Sequence, residues 1–279
     1  MSAELIQKIR TDIIEAIKAD RLVLPTLPEV ALRIKETAED PEASVAELAS
    51  IISSDAAMTA RIIRVCNSPL FRGSREITSL NMAVSRLGME YAANLAIGLA
   101  MEQMFQATTD MIDRRMREIW QTSTEVAGMA NVLAQRYTRL KPDQATLAGL
   151  VHYIGALPVL AYIEENSIAI NNVILDNLID TLHPAIGVRI LRTWDFPEEI
   201  QIVPKAHLDF KRERPEADYA DVVMVAKLQR VAGTDHRWTK LDWNEISAFR
   251  RLGIDPNEVQ GEAEDLTAEM EAAMALLNG

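Results

Sequence analysis

The sequence predicts an all-α fold, and three observations carry that prediction. Gly (11) and Pro (11) are scarce for a chain of 279 residues, fewer turn-formers than average usage supplies. Aromatic residues are only 5%, while the good helix formers Ala, Leu, Ile and Met abound. Apolar residues recur at intervals of three and four, and no segment alternates with a period of two.

The elements follow in order. Residues 4–18 set Leu5, Ile6, Ile9, Ile13, Ile14 and Ile17 on one stripe, an amphipathic helix. An extended, Pro-bounded segment (LVLPTLP) follows, and Thr26-x-x-Glu29 reads as a capping box opening a helix that Asp40-Pro41 stops. Ser44-x-x-Glu47 is a second capping box; Asp55 caps the next helix, which Asn67-Ser68-Pro69 ends. Ser79 caps a short helix closed by Gly88, and the stretch from Glu90 to Phe105 is apolar nearly all round, predicting a buried helix. Asp110 opens a long helix to about Tyr137, and Lys141-Pro142-Asp143 reads as a turn. Residues 143–164 are helical with a break near Gly155 and Pro158. Further helices are expected at 170–181, 184–194, 197–208 and 217–232, with a polar loop over 234–242. Asp242 caps a helix to Leu252, and an acidic helix runs from Asp255-Pro256 to Leu277, about a dozen helices in all.

Charge narrows the function. Lys and Arg number 29 against 41 Asp and Glu, a net charge of −12. That sign repels a phosphate backbone, so direct nucleic-acid binding is not expected. The single cysteine, Cys66, makes neither an internal disulfide nor a thiolate metal site, which suits a reducing cytoplasm. The first residues carry mixed charge without an apolar core, unlike a signal peptide. The longest apolar window, Leu147 to Ile163, is interrupted by His152 and Pro158 and reads as a core helix, not a membrane span.

Few residues stand out as chemical candidates. Arg61, Arg64, Arg72 and Arg75, with Arg86 nearby, cluster around the Asn67-Ser68 turn. They read either as ion pairs with neighbours such as Asp55 and Glu76 or as a dock for an anion or partner. Asn67 is expected to satisfy backbone groups of the next loop, and Cys66 to be a small buried hydrophobe. His152, His183 and His207 lie 31 and 24 residues apart in helical context. That spacing is compatible with ligands on separate helices and equally with imidazoles packed in a core. His236 falls in a polar loop and reads as exposed.

The run from Asp55 to Ser68 (DAAMTARIIRVCNS), the entry LPTLP at 24–28 and the segment Ala83-x-x-Arg86-Leu87-Gly88 together resemble the HDOD family, the HD-related output domains of bacterial signalling proteins. Similarity continues through IWQTSTEV and AGLVHYIG to about residue 215. The resemblance implies an all-α, HD-domain-like helical bundle in two lobes: residues 1–106 and a degenerate HD-like lobe over 107–233, with a helical extension at 234–279. It also implies where a hydrolytic relative carries metal ligands. Thr122 stands where the first histidine is expected, Tyr153 follows His152 in place of an aspartate, and Lys227 falls at the last aspartate, while His183 and His207 are kept.

A phenol brings no negative charge at neutral pH, and an inward lysine repels a cation. The sequence therefore implies a non-catalytic signalling or scaffolding module without cofactor or metal, which binds a protein partner or a nucleotide messenger in the cytoplasm. Two alternatives remain at this stage. One is a metal-dependent phosphohydrolase in which His152, His183, His207 and a carboxylate such as Asp180 hold a divalent metal ion. The other is a nucleotide-binding protein without turnover.

Overall fold

The computed structural model describes residues 3–19, 24–68, 71, 73 and 75–256. Among them there is no strand, and twelve α-helices are six residues or longer.

The N-terminal elements form where local chemistry starts and stops them. Helix α1 (Ala3–Lys18) buries Ile9, Ile13 and Ile17. Helix α2 (Glu29–Glu39) begins directly after Pro28, so the box expected from Thr26 does not form. Pro28 takes the N-cap place at φ −52°, and Glu29 becomes the first helical residue instead of the third. Helix α3 (Val45–Ile52) has the reciprocal box: the Glu47 N–H donates to Ser44 Oγ at 3.2 Å, and the Ser44 N–H to Glu47 Oε2 at 2.7 Å. Helix α4 (Ala56–Cys66) is capped by Asp55, whose Oδ1 accepts from the Met58 N–H at 3.0 Å. Helix α5 (Leu80–Leu87) is capped by Ser79 and joins α6 (Met89–Ala100) through Gly88, whose φ of 86° favours glycine. Helix α6 is buried on almost every side and rests on α2, α4 and α5.

The second half is laid against α6. Helix α7 (Asp110–Tyr137) packs along α8 (Pro142–Val151), and α8 also lies on α6. The expected turn at 141–143 is a helix start instead, because Pro142 fits the first helical position, where an N–H has no partner anyway. A tight turn at 152–155 leads into α9 (Ala156–Glu165). The stretch Pro142–Glu165 is long and apolar enough to cross a membrane, and most of it is buried within the fold.

Helix α10 (Asn172–Thr193) corrects the sequence expectation of two helices divided at Pro184. It runs unbroken through the proline. Packing against α9, α12 and α1 outweighs the ~3 kcal/mol that an interior proline costs. At its end, the Trp194 indole N–H donates to the Pro25 carbonyl at 2.9 Å and ties α10 to the segment entering α2.

The helix expected at 197–208 is two single turns, α11 (Glu198–Gln201) and α12 (Val203–Ala206), separated at Ile202. Helix α13 (Tyr219–Val231) opens with an Asp218/Asp221 capping box and is buried along most of its length. The 234–242 region is not all loop, since Arg237–Lys240 form a 3-10 turn. Asp242 caps a second such turn at Trp243–Glu245, and α14 (Ser247–Leu252) starts only at Ser247. A buried network anchors α14: Arg251 grips both carboxylate oxygens of Asp221 at 2.7 Å, and Arg212 bridges Asp218 and Asp221. The acidic helix expected to reach Leu277 lies, beyond Pro256, outside the described residues.

Backbone contact sets the position of α10. A Cβ added at Gly155 would lie 2.1 Å from the His183 carbonyl oxygen and 2.5 Å from the Gly187 nitrogen. Only a glycine lets the turn at 152–155 approach α10 so closely. Gly155→Ala is expected to lower stability by at least about 2 kcal/mol, read as a fall in the urea midpoint. An unchanged midpoint would show that the turn has room to move away.

Candidate functional site

Four elements bring the sequence-predicted positions together. His152 ends α8, Tyr153 lies in the turn after it, His183 is on α10, His207 ends α12, and Lys227 is on α13. The imidazole of His152 meets that of His207 edge to face, with ring centroids 5.1 Å apart. His183 lies 6.1 Å from His207 and stacks on the Tyr153 ring at 4.1 Å. All three imidazoles are buried.

Hydrogen bonds fix the tautomers of two of them. His152 Nδ1–H donates to the Gly149 carbonyl at 2.6 Å, and His207 Nδ1–H donates to the Val203 carbonyl at 2.7 Å. In each ring Nε2 is then the acceptor. The Lys227 amine donates to His207 Nε2 at 3.1 Å. His152 Nε2 and both nitrogens of His183 are buried without a hydrogen-bond partner. Burial holds all three imidazoles well below the usual histidine range, and the Lys227 charge adds to it. They are neutral at physiological pH.

Lys227 is the anomaly. The residue is 6% exposed, and its amine lies 4.5 Å from the centre of the Tyr153 ring and 4.8 Å from that of Trp238. Burial, then the charges of Arg230 and Arg237, push its pKa down to about 7 against the upward pull of Asp180. The nearby carboxylate is engaged elsewhere: Asp180 accepts from the Tyr153 hydroxyl at 3.1 Å and pairs with Arg237 at 2.6 Å. Burial and the Asp180 charge push the Tyr153 phenol upward, so it stays protonated.

Above this cluster opens a cleft of about 540 Å³. Its walls come from α7 (Arg115, Glu118, Ile119, Thr122), from α10 (Asp176, Asp180) and from the region after α13. The helical residues are spaced three or four apart, which puts each set on one face. Thr122 lines the cleft, as its correspondence to a ligand position implied. His236, expected to be exposed, is half-buried: it lines the cleft, its Nδ1 accepts from the Trp238 N–H, and its ring meets Trp238 at 4.8 Å. Sequence reading missed Trp238, Arg115, Arg230 and Arg237. They lie in helix faces and a polar segment with no motif to mark them.

The residues do not fit a divalent ion. The Nε2 lone pair of His207 is taken by an amine, and no carboxylate joins the imidazoles. Among the described residues, no three His, Cys, Asp or Glu side chains are arranged to hold a metal. The open lone pairs of His152 and His183 face an amine and no carboxylate, a donor set that opposes a dication.

The arginine cluster lies elsewhere. Arg61 pairs with Glu102, while Asp55 caps α4. The Arg86 guanidinium donates to the Arg75 carbonyl at 2.7 Å and lies beside Gly73. Asn67 clasps Ile77 with two 2.8 Å hydrogen bonds, closing the loop between them. Arg64 and Arg75 are exposed, and Arg72 lies outside the described residues. Cys66 is buried, and its thiol is pushed up to about 11 by desolvation. It is a poor nucleophile at neutral pH.

The buried bases give stability a defined pH dependence. Each depressed histidine binds its proton more readily in the unfolded chain. Their contribution to folding stability is therefore complete above about pH 6.5 and falls as pH drops below it, by up to about 1.4 kcal/mol per unit for each group. Lys227 acts in the same sense in a higher window: between about 7 and 10.5 the unfolded chain holds the extra proton, so stability rises with pH. Urea titrations from pH 5 to 9 are expected to show both rises. Lys227→Met should raise stability at pH 7 on the order of 2 kcal/mol and abolish the upper rise. A flat profile above pH 7 in the wild type would contradict this account of Lys227.

Comparison with known proteins now adds the family. The model of the HDOD domain matches residues 24–210. A crystal structure from Shewanella amazonensis SB2B, named "Putative metal-dependent phosphohydrolase", is 31% identical, with a TM-score of 0.87 over 98% of this chain and 99% of that one. One from Marinobacter aquaeolei VT8, named "Putative signal transduction protein", shares the fold at 23% identity and a TM-score of 0.62, over 98% of this chain and 65% of that one. An uncharacterized protein of Treponema pallidum (strain Nichols) is 24% identical over 198 residues, 65% of this chain. The match spans only 37% of that relative's length. With two thirds of its length under the family model and its helices laid out as in these structures, the chain belongs to the HDOD family.

Proposed function

We propose that this chain is a non-catalytic HDOD module of bacterial signal transduction, acting in the cytoplasm as a scaffold that binds a protein partner or a nucleotide messenger. One observation carries the reading: the Lys227 amine sits 3.1 Å from His207 Nε2, at a position where the family resemblance expects a metal-binding aspartate. A fixed amine there opposes a dication and supplies no oxygen to ready a water for attack. The name of the Marinobacter protein agrees with a signalling role. In this reading the cleft beside Tyr153 is a binding site for a small ligand. The exposed Arg64 and Arg75 offer a second, electropositive face to an acidic partner segment.

A second reading, a metal-dependent phosphohydrolase, is favoured by the gathering of the His152 and His183 imidazoles 5.1 and 6.1 Å from that of His207 and by the name of the Shewanella protein. The two readings diverge in one experiment. Purified protein is dialysed against Zn²⁺ or Mn²⁺, analysed for metal by mass spectrometry, and assayed with bis-p-nitrophenyl phosphate and nucleotides. Substoichiometric metal and no turnover above the blank are expected. One or more ions per chain with turnover lost in His152→Ala would establish the hydrolase instead.

A further inference from the structure

The basic groups of the cleft are paired except at its floor. Among the described residues, four basic side chains line it: Arg115, Lys227, Arg230 and Arg237. Arg115 holds Asp176 and Glu118, Arg230 holds Glu125, and Arg237 holds Asp180. The contacts of Lys227 are all uncharged: the imidazole of His207 and the rings of Tyr153 and Trp238. A buried amine with no anionic partner is costly, and a fall in basicity to about 7 is the form that cost takes here.

Elsewhere the lining is acidic: Glu118, Asp176, Asp180 and Asp235 outnumber the three arginines. The seat at the amine therefore suits a single negative charge. A dianion would complete Lys227 and then meet the surplus acidic groups of the rim. The walls around the amine are aromatic, and Trp238 is only half-buried, so part of its surface is open to a guest. The volume of about 540 Å³ suits a small molecule.

We propose that the cleft floor is a seat for a small aromatic monocarboxylate, with its carboxylate paired to the Lys227 amine and its ring against Trp238. The proposal rests on reading the cleft as a binding site and not a hydrolytic one, and it names the chemistry of a ligand. The amine contributes a charge-assisted hydrogen bond in a site shielded from water. Trp238 contributes ring contact, and the Tyr153 ring beneath the amine holds it in place.

Three probes of similar size separate the contributions: phenylacetate, 2-phenylethanol and phenyl phosphate, titrated by calorimetry into the full chain at pH 7. Phenylacetate is expected to bind about tenfold or more tightly than either the neutral alcohol or the dianion. In Lys227→Met the preference for phenylacetate over the alcohol should vanish, while a melting temperature at or above the wild type shows the fold intact. In Trp238→Leu all three probes should weaken together, with the carboxylate preference kept. The proposal is overturned if phenyl phosphate binds as tightly as phenylacetate, if Lys227→Met keeps the preference, or if phenylacetate gives no heat at about 10 mM. Failure here without metal-dependent turnover removes the carboxylate seat alone. Metal-dependent hydrolysis would instead remove the non-catalytic reading beneath it.

Discussion

Everything at the centre of this molecule depends on two backbones touching. The turn at 152–155 can lie against α10 because Gly155 brings no side chain to the His183 carbonyl and the Gly187 nitrogen. That contact carries His152 and Tyr153 to the side of His183. The same principle operates twice more in the helices beneath. Gly149 meets the backbone of Ala127 on α7, and Gly98 receives the side chain of Leu150. Close approach of α6, α7 and α8 thus builds a rigid platform, and the imidazole cluster is fixed on its edge.

The cluster brings three imidazoles together and sets an amine, not a carboxylate, among them. Nδ1 of His152 and of His207 is committed to a backbone carbonyl, the arrangement that would aim Nε2 at an ion. Beside them stands an amine, itself held by two aromatic rings. Neutral imidazoles and a weakly basic lysine tolerate burial together because none of them insists on charge. A network of buried neutral bases of this kind is sensitive to acid.

Much of this was legible in the sequence. Caps at Ser44, Asp55 and Ser79 are local chemistry, and each was found where its side chain could reach a free N–H. The joining of His152, His183, His207 and Lys227 was legible only through family resemblance, since no spacing on separate helices fixes their meeting. Pro184 misled because its local cost is real, and only the packing along α10 reverses it. Thr26 misled because a proline two residues later moved the helix start. The cleft wall at Arg237 and Trp238 left no trace: a short polar segment folds into a 3-10 turn under tertiary contact. The Asp221–Arg251 pairing across 30 residues is equally invisible to local pattern.

Helix α10 has 22 residues, which makes it a rod about 33 Å long. Asp176 and Asp180 near its beginning line the cleft, and just past its end Trp194 grips the Pro25 carbonyl. One continuous helix thus ties a wall of the cleft to the segment that enters α2, although 169 residues of chain separate Pro25 from Trp194.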